Sequence, residues 1–420
     1  EITVPGDKSI THRALLLSCL AEGPSRIEGY LGGGDCRATM DCLRQLGIPI
    51  VEEGKGALVV RGKGLRGWQE PETVLDCVRS GTTMRLMAGL LAGQDFYSVL
   101  SGASQLRRRP MDRVTRPLRE MGARIWGRQS GRLPPLSIQG APLQGIEYAP
   151  PMASAQVKSC VLLAGLYAEG TTVVLEPGPS RDHTERMLRA RGVELTTEGL
   201  RHELLRAPSR IEPLDVSVPG DFSSAAYFLM AALLASEGEL LVRGVGTNPT
   251  RTGLLDVLRG MGATMEILNP RTEGGEPVGD IVVRPQELEG VEVGGAMVPR
   301  MIDEFPLLAL AATQARGVTR VREAEELRVK ETDRIATIVE ALRAMGARVE
   351  EHPDGFDVEG PTPLQAAAVD SHGDHRLAMT LVVAGLLSAG ETRVGGGESI
   401  ADSFPGFVEK INALTEGAVS

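Results

Sequence analysis

Aromatic residues are scarce in this chain: they make up 3% of 420 residues, with Phe at 7, Tyr at 5 and Trp at 2. So few rings argue against a stacking surface for single-stranded nucleic acid. An excess of positive charge is missing as well. With a formal net charge of -10, the chain is not drawn to DNA or to an anionic membrane. Cysteine is limited to Cys19, Cys36, Cys42, Cys77 and Cys160, an odd number with no C-x-x-C pair. They read as reduced core residues of a cytoplasmic protein, with no structural zinc site expected. No apolar run reaches membrane-spanning length, and the start lacks the basic and apolar regions of a signal peptide. The opening Glu-Ile-Thr-Val reads as a strand already under way, so an initiator and further residues are expected before it.

What is present is the composition of a globular protein, 42% hydrophobic and 24% charged, in a chain longer than one core usually serves. Two domains are therefore expected. A repeated pattern organises the chain: an apolar helix, a strand, and a second helix ending at glycine. The first copy has helices from Ser9 to about Ala21 and from about Cys36 to Leu46. Further copies open at Ser80-Gly-Thr-Thr-Met-Arg85, Ser154-Ala-Gln-Val-Lys158, Asp221-Phe-Ser-Ser, Asp303-Glu-Phe-Pro and Gly373-Asp-His-Arg. The spacing of roughly 70 to 80 residues suits a βαβ-type subdomain. The opening helices are apolar almost all round, which predicts burial at the centre of each domain. Val4-Pro-Gly-Asp-Lys-Ser recurs as Val218-Pro-Gly-Asp-Phe-Ser. This echo places the domain change at both points: residues 8–219 form one domain of three repeats, residues 1–7 with 220–420 the other, with a hinge at the two crossings.

The polar residues of these otherwise apolar units collect at the helix starts. In Pro5–Arg13, a turn feeds a helix whose first turns carry Lys8, Ser9 and Arg13. Free N–H groups at a helix start favour phosphate or carboxylate, although an ordinary capped helix with solvated cations has the same pattern. It is not a nucleotide P-loop, since Asp7 separates Gly6 from Lys8 and the second glycine is missing. Arg85, Arg109, Ser154, Gln156, Asp303, Glu304, Lys330, Glu331, Arg334 and Arg376 stand at similar places. Such hydroxyls, amides and guanidinium groups suit a phosphorylated, hydroxylated ligand and a second small anion.

Six stretches, in order, carry a resemblance: Gly6-Asp-Lys-Ser-Ile-Thr-His-Arg13, Ser80-Gly-Thr-Thr-Met-Arg85, Arg108-Arg-Pro-Met111, Ser154-Ala-Gln156, Leu327-Arg-Val-Lys-Glu-Thr-Asp-Arg334 and Asp374-His-Arg376. Over nearly its whole length the chain resembles the 5-enolpyruvylshikimate-3-phosphate synthase family of enolpyruvyl transferases. The resemblance implies an α/β fold of two domains, an inside-out α/β barrel with three βαβαββ-type repeats and buried central helices in each domain, and an active site between them. It implies transfer of the enolpyruvyl group of phosphoenolpyruvate to the 5-hydroxyl of shikimate 3-phosphate, without cofactor or metal, by a cytoplasmic monomer. By match to the family's motifs, Ser9, Arg13, Ser154, Ala155, Gln156, Ser180, Asp303 and Lys330 are expected to hold shikimate 3-phosphate. Lys8, Gly81, Arg109, Gln156, Arg334 and Arg376 are expected to hold phosphoenolpyruvate.

Addition and elimination at an enol require an acid for the methylene carbon, a base for the hydroxyl, and cations around a tetrahedral intermediate. Asp303 is assigned as base and Glu331 as proton donor, with Lys8 as a partner in either step and Glu304 as a rival carboxylate. Where many family members carry a lysine before a Ser-Phe-Pro or Thr-Phe-Pro, this chain has Asp402. Gly81 leaves room for phosphoenolpyruvate, while sensitivity to the family's inhibitor glyphosate stays open. The sister transferase acting on UDP-N-acetylglucosamine is disfavoured, because no cysteine lies between Cys77 and Cys160. A metal-dependent hydrolase built on Asp370, His372, Asp374 and His375 rests on a single ligand-rich turn. A nucleic-acid binder built on Arg107-Arg-Arg109, Lys8 and Arg13 conflicts with the acidic charge.

Overall fold

The computed structural model describes residues 1–54, 56–415 and 417–419. They form two compact units. The N-terminal unit comprises Gly6–Pro219 with Thr272–Glu276; the C-terminal unit comprises Glu1–Pro5, Gly220–Arg271 and the chain from Pro277 onward. Gly6 and Asp7 fall with the N-terminal unit because the Asp7 N–H donates to the Pro219 carbonyl at 2.8 Å. Thr272–Glu276, at the turn of a hairpin, also falls there.

In the N-terminal unit the helices Lys8–Leu20, Gly81–Ala92 and Ala155–Gly165 are buried along almost their whole length. Each begins at a side-chain cap. Asp7 accepts from the Ile10 N–H at 2.9 Å, Ser80 from Thr83 at 3.1 Å and Ser154 from Val157 at 3.5 Å. Gly81–Ala92 and Ala155–Gly165 pack so closely that a Cβ on Gly89 would lie 2.4 Å from the Cys160 carbonyl oxygen. Gly81–Ala92 and Ala155–Gly165 are each the crossover of a parallel strand pair, the connection that such a pair requires. Leu75–Asp76, for example, runs parallel to Tyr97–Ser101 with Gly81–Ala92 between them. A second helix and an antiparallel hairpin complete the four-stranded sheet. The other two repeats of this unit have the same strand order.

The first and fourth repeats draw their parallel strands from opposite ends of the chain. Val216–Ser217 pairs with Ile27–Glu28, whereas Ile2–Thr3 pairs with Val242–Arg243. Each of these short strands leads into one copy of the Val-Pro-Gly-Asp turn. The Asp221 N–H donates to the Pro5 carbonyl at 2.8 Å, matching the bond from Asp7 to Pro219. One turn sequence is therefore used twice for the same local job.

The C-terminal unit is built around Phe222–Leu233, Phe305–Gln314 and His375–Leu387. Two of its repeats have the full four-stranded sheet. The sixth has only the parallel pair Ala368–Asp370 and Arg393–Gly395, and after its second helix, Phe407–Leu414, no hairpin follows among the described residues. That helix is anchored by Phe407, whose ring packs on Tyr227, Phe228 and Phe404 at 5.5–5.9 Å. The expected inside-out barrel is realised only in its buried helices. Among the described residues the strands form separate sheets and close into no barrel. All five cysteines are free and buried, and among the described residues no helix is long and apolar enough to cross a membrane.

Candidate active site

The structure divides the expected site residues by unit. Lys8, Ser9, Arg13, Gly81, Arg109, Ser154, Ala155, Gln156 and Ser180 belong to the N-terminal unit; Asp303, Lys330, Glu331, Arg334 and Arg376 belong to the C-terminal unit.

In the N-terminal unit the three capped helix starts gather cations. Lys8 Nζ lies 3.3 Å from Asp35 Oδ2, and both side chains are about one quarter exposed. Gly81, at the first position of its helix, sits between two arginines. A Cβ built there would lie 3.2 Å from Arg85 Nη1 and 3.3 Å from Arg109 Nη1. Arg85 is buried and donates to Gln156 Oε1 and to the Pro110 carbonyl, while Gln156 Nε2 donates to Thr82 Oγ1 at 2.9 Å. The amide of Gln156 is thereby fixed in orientation between two helix starts. Ser180 donates to Glu176, which Lys158 and His202 also hold, at 2.6 and 2.9 Å. Burial would raise the Glu176 pKa, but its hydrogen bonds to His202 and Lys158 keep it below the usual carboxylate range.

Arg13 lies beneath this surface, 4% exposed. Its guanidinium donates to Thr184 Oγ1, Ser159 Oγ and the Ser9 carbonyl at 2.7, 2.8 and 3.0 Å. Among the described residues no carboxylate is within ion-pair distance of it, and burial lowers its pKa to about 10. Its neighbour His12, fully buried and bonded to Thr39, is pushed down to about 3 by burial and stays neutral.

In the C-terminal unit Asp303 stands among three guanidinium groups: Arg334 Nη1 at 3.3 Å, Arg251 Nη1 at 3.6 Å and Arg376 Nη2 at 3.7 Å. Its side chain is 18% exposed. Arg334 also reaches Glu331 and Asp374, each at 2.7 Å. Burial alone would depress its pKa, but Glu331, Asp374 and Asp303 together raise it. Arg376 behaves alike, with burial outweighed first by Asp303 and then by Tyr227 and Asp221. Asp374 caps His375–Leu387 through the Arg376 N–H at 2.9 Å. This cap and the Arg334 pair account for the most conspicuous carboxylate of the supposed hydrolase turn. Glu304, the rival carboxylate, is 1% exposed; it accepts from Ser223 and faces Arg251 at 3.3 Å. Burial pushes its carboxyl up. Asp303 is thus the more open of the two. Lys330 stands apart from this group, held by Glu326 at 2.6 Å, and Asp402 is exposed at the end of the short helical turn Gly397–Asp402.

Sequence reasoning missed Arg251, Asp35 and the layer beneath Arg13. It read the starts of the second helices in some repeats but not in the first and fourth. Arg109, Arg181, Arg251 and Arg334 precede or open the second helix of four repeats, a regularity that could have pointed to Arg251. Asp35 likewise lies in the first turn of a second helix, Gly34–Gln45. The partners Ser159 and Thr184 are ordinary helix residues with no sequence signal of their own.

Comparison with known proteins places this arrangement. A sequence model of EPSP synthase (3-phosphoshikimate 1-carboxyvinyltransferase) matches residues 1–411. A relative named 3-phosphoshikimate 1-carboxyvinyltransferase from Citrifermentans bemidjiense is 52% identical, covering 100% of this chain and 96% of its own. The solved structure of EPSP synthase from Acinetobacter baumannii superposes with a TM-score of 0.91 at 43% identity, covering 98% of this chain and 94% of that one. The enolpyruvyl transferase NikO from Streptomyces tendae shares the fold at a TM-score of 0.81 and 20% identity, covering 99% of this chain and 94% of its own. The chain belongs to the EPSP synthase family, that of the 3-phosphoshikimate 1-carboxyvinyltransferases.

Proposed function

We infer that the protein transfers the enolpyruvyl group of phosphoenolpyruvate to the 5-hydroxyl of shikimate 3-phosphate and releases phosphate, the activity of EC 2.5.1.19 in the shikimate pathway. The observation that carries this reading, beside family membership, is the collection of cations at the helix starts, with Asp303 held among three arginines. Ser9, Arg13, Ser154, Ala155, Gln156, Ser180, Asp303 and Lys330 would hold shikimate 3-phosphate. Lys8, Gly81, Arg109, Gln156, Arg334 and Arg376 would hold phosphoenolpyruvate. Because these sets draw on both units, the reading requires a hinge at the crossings Pro5–Gly6 and Pro219–Gly220.

The chemistry is an addition followed by an elimination. Asp303 takes the proton of the 5-hydroxyl as that oxygen bonds to C2 of phosphoenolpyruvate, and Glu331 protonates C3. The tetrahedral adduct bears a carboxylate and a phosphate, which Lys8, Arg109, Arg334 and Arg376 stabilise. Its C–O bond to phosphate then breaks, the departing phosphate taking up the proton that Asp303 had received, and the C3 proton returns to Glu331 as the double bond reforms. A 2.7 Å contact ties the Glu331 carboxylate to Arg334 in the absence of ligand. An arriving anion competes for Arg334 and so loosens this pair. The roles use only residues of one chain, which fits a monomer working in the cytoplasm.

Phosphate release from phosphoenolpyruvate tests the assignment, with shikimate 3-phosphate and UDP-N-acetylglucosamine as alternative acceptors. Release is expected only with the first, and release only with the second would overturn it.

A further inference from the structure

The two hydroxyls that meet Arg13 come from different helices, Ser159 from Ala155–Gly165 and Thr184 from His183–Arg189, and both are 1% exposed. Proton bookkeeping fixes the direction of every bond in this group. Ser159 gives its only hydrogen to the Ala155 carbonyl at 2.6 Å. The 2.7 Å contact between the hydroxyls must then be Thr184 donating to Ser159. Both oxygens are left with lone pairs aimed at Arg13: Thr184 accepts from Nε and Ser159 from Nη2. A guanidinium has five N–H groups, and the Ser9 carbonyl takes a third. One remains on each terminal nitrogen, a pair suited to two oxygens of one acidic group.

The spacing of the two hydroxyls is itself fixed. Lys158 and Glu185, the sequence neighbours of Ser159 and Thr184, form an ion pair at 2.8 Å with both side chains 1% exposed. Glu176 and His202 close the network, with His202 within 3.3 Å of both carboxylates. The pair joins the same two helices one residue along from the hydroxyls, so their separation cannot change without breaking a buried ion pair, a costly event.

We propose that Ser159 and Thr184, braced by Lys158 and Glu185, are positioning residues that hold the buried Arg13 fork in the orientation that receives an acidic group of shikimate 3-phosphate. The proposal rests on the assignment of Arg13 to that substrate. A neutral hydroxyl pair, rather than a carboxylate, is what this role requires. It fixes the fork without a carboxylate in contact with it, so a ligand reaching Arg13 has no ion pair to break.

The test is steady-state kinetics on Thr184→Val, Thr184→Ser, Ser159→Ala and Arg13→Gln, with melting temperatures recorded for each. Thr184→Val keeps the shape and removes the acceptor of Nε, so the KM for shikimate 3-phosphate is expected to rise about ten-fold. The KM for phosphoenolpyruvate and kcat should stay within about two-fold, and Thr184→Ser should restore the parent value. In the Arg13→Gln background Thr184→Val should add nothing, since its effect passes through Arg13. If Thr184→Val does not fold, Ser159→Ala, which removes the acceptor of Nη2, carries the same expectation. An unchanged KM for shikimate 3-phosphate in Thr184→Val, or an equal loss in all three parameters, overturns the proposal while leaving Arg13 in its role. An unchanged KM in Arg13→Gln overturns the assignment of Arg13 as well, and the two failures are thereby told apart.

Discussion

Gly81→Ala should weaken phosphoenolpyruvate while leaving the fold intact. Gly81 has no positive φ, so alanine fits its backbone, and alanine is the better helix former. The obstacle is the new methyl group. It would lie 3.2 Å from Arg85 Nη1 and 3.3 Å from Arg109 Nη1, inside the 3.5–4.0 Å of ordinary contact. One or both guanidinium groups must move by a few tenths of an ångström, and the methyl also occupies space in front of them. Arg85 is tied to Gln156 and to the Pro110 carbonyl, so Arg109 is the group expected to give way. Losing one charge-assisted contact is worth about 1.5–3 kcal/mol, which corresponds to a rise of about ten- to a hundred-fold in the KM for phosphoenolpyruvate. The KM for shikimate 3-phosphate should change little, and the melting temperature should hold or rise slightly. Phosphate release at varied concentrations of each substrate measures both constants. A KM for phosphoenolpyruvate unchanged in a folded Gly81→Ala protein would refute the reasoning.

Asp303→Asn and Glu331→Gln should each lower kcat by about 10²–10⁴-fold with both substrates still bound; near-normal turnover in both variants would remove these carboxylates from the mechanism. Activity should be the same with and without a strong chelator, and loss on chelation that a divalent metal restores would revive the hydrolase-like reading. If the crossings at Pro5–Gly6 and Pro219–Gly220 act as a hinge, solution scattering should give a smaller radius of gyration on addition of shikimate 3-phosphate, and an unchanged value would count against it. His12 contributes to acid stability with a definite sign. Burial lowers its pKa from 6.5 to about 3 in the folded protein, so its contribution is complete above pH 6.5 and is lost as the pH falls toward 3, amounting to about 2 kcal/mol by pH 5. His12→Gln should flatten urea-unfolding stability between pH 7.5 and 5, and an equal slope in both proteins would exclude His12 as a source.

The repeats were legible because each rests on short-range rules. An apolar helix must be buried, a cap must precede it, and a glycine must end its partner helix. The six helix starts read from sequence lie within two residues of the observed ones. The shortened sixth repeat was not legible, because Gly397–Leu414 reads locally like the approach to any second helix. What anchors it is long-range: Phe404 and Phe407 against Tyr227 and Phe228. The exchanged strands were visible only as an echo, Val4-Pro-Gly against Val218-Pro-Gly. That Ile2–Thr3 and Val216–Ser217 swap sheets is a matter of pairing across more than 180 residues.

The same distinction runs through the site and bears on how it works. Sequence placed the cations but could not say what each already holds, and the two units differ in this. Arg13 is held by hydroxyls and a carbonyl, so an anion reaching it displaces no carboxylate from its guanidinium. Arg334 and Arg376 are shared with Asp303, and Arg334 also with Glu331 and Asp374. An anion there gains only the difference between its own attraction and that of the carboxylates it loosens. On the proposed assignment, shikimate 3-phosphate at Arg13 would draw on a preformed site, whereas phosphoenolpyruvate at Arg334 and Arg376 would have to rearrange existing ion pairs. Those pairs include Asp303 and Glu331, the groups assigned to move protons. On the proposed roles, binding of the donor would in this way be coupled to release of the acid and the base from their resting partners.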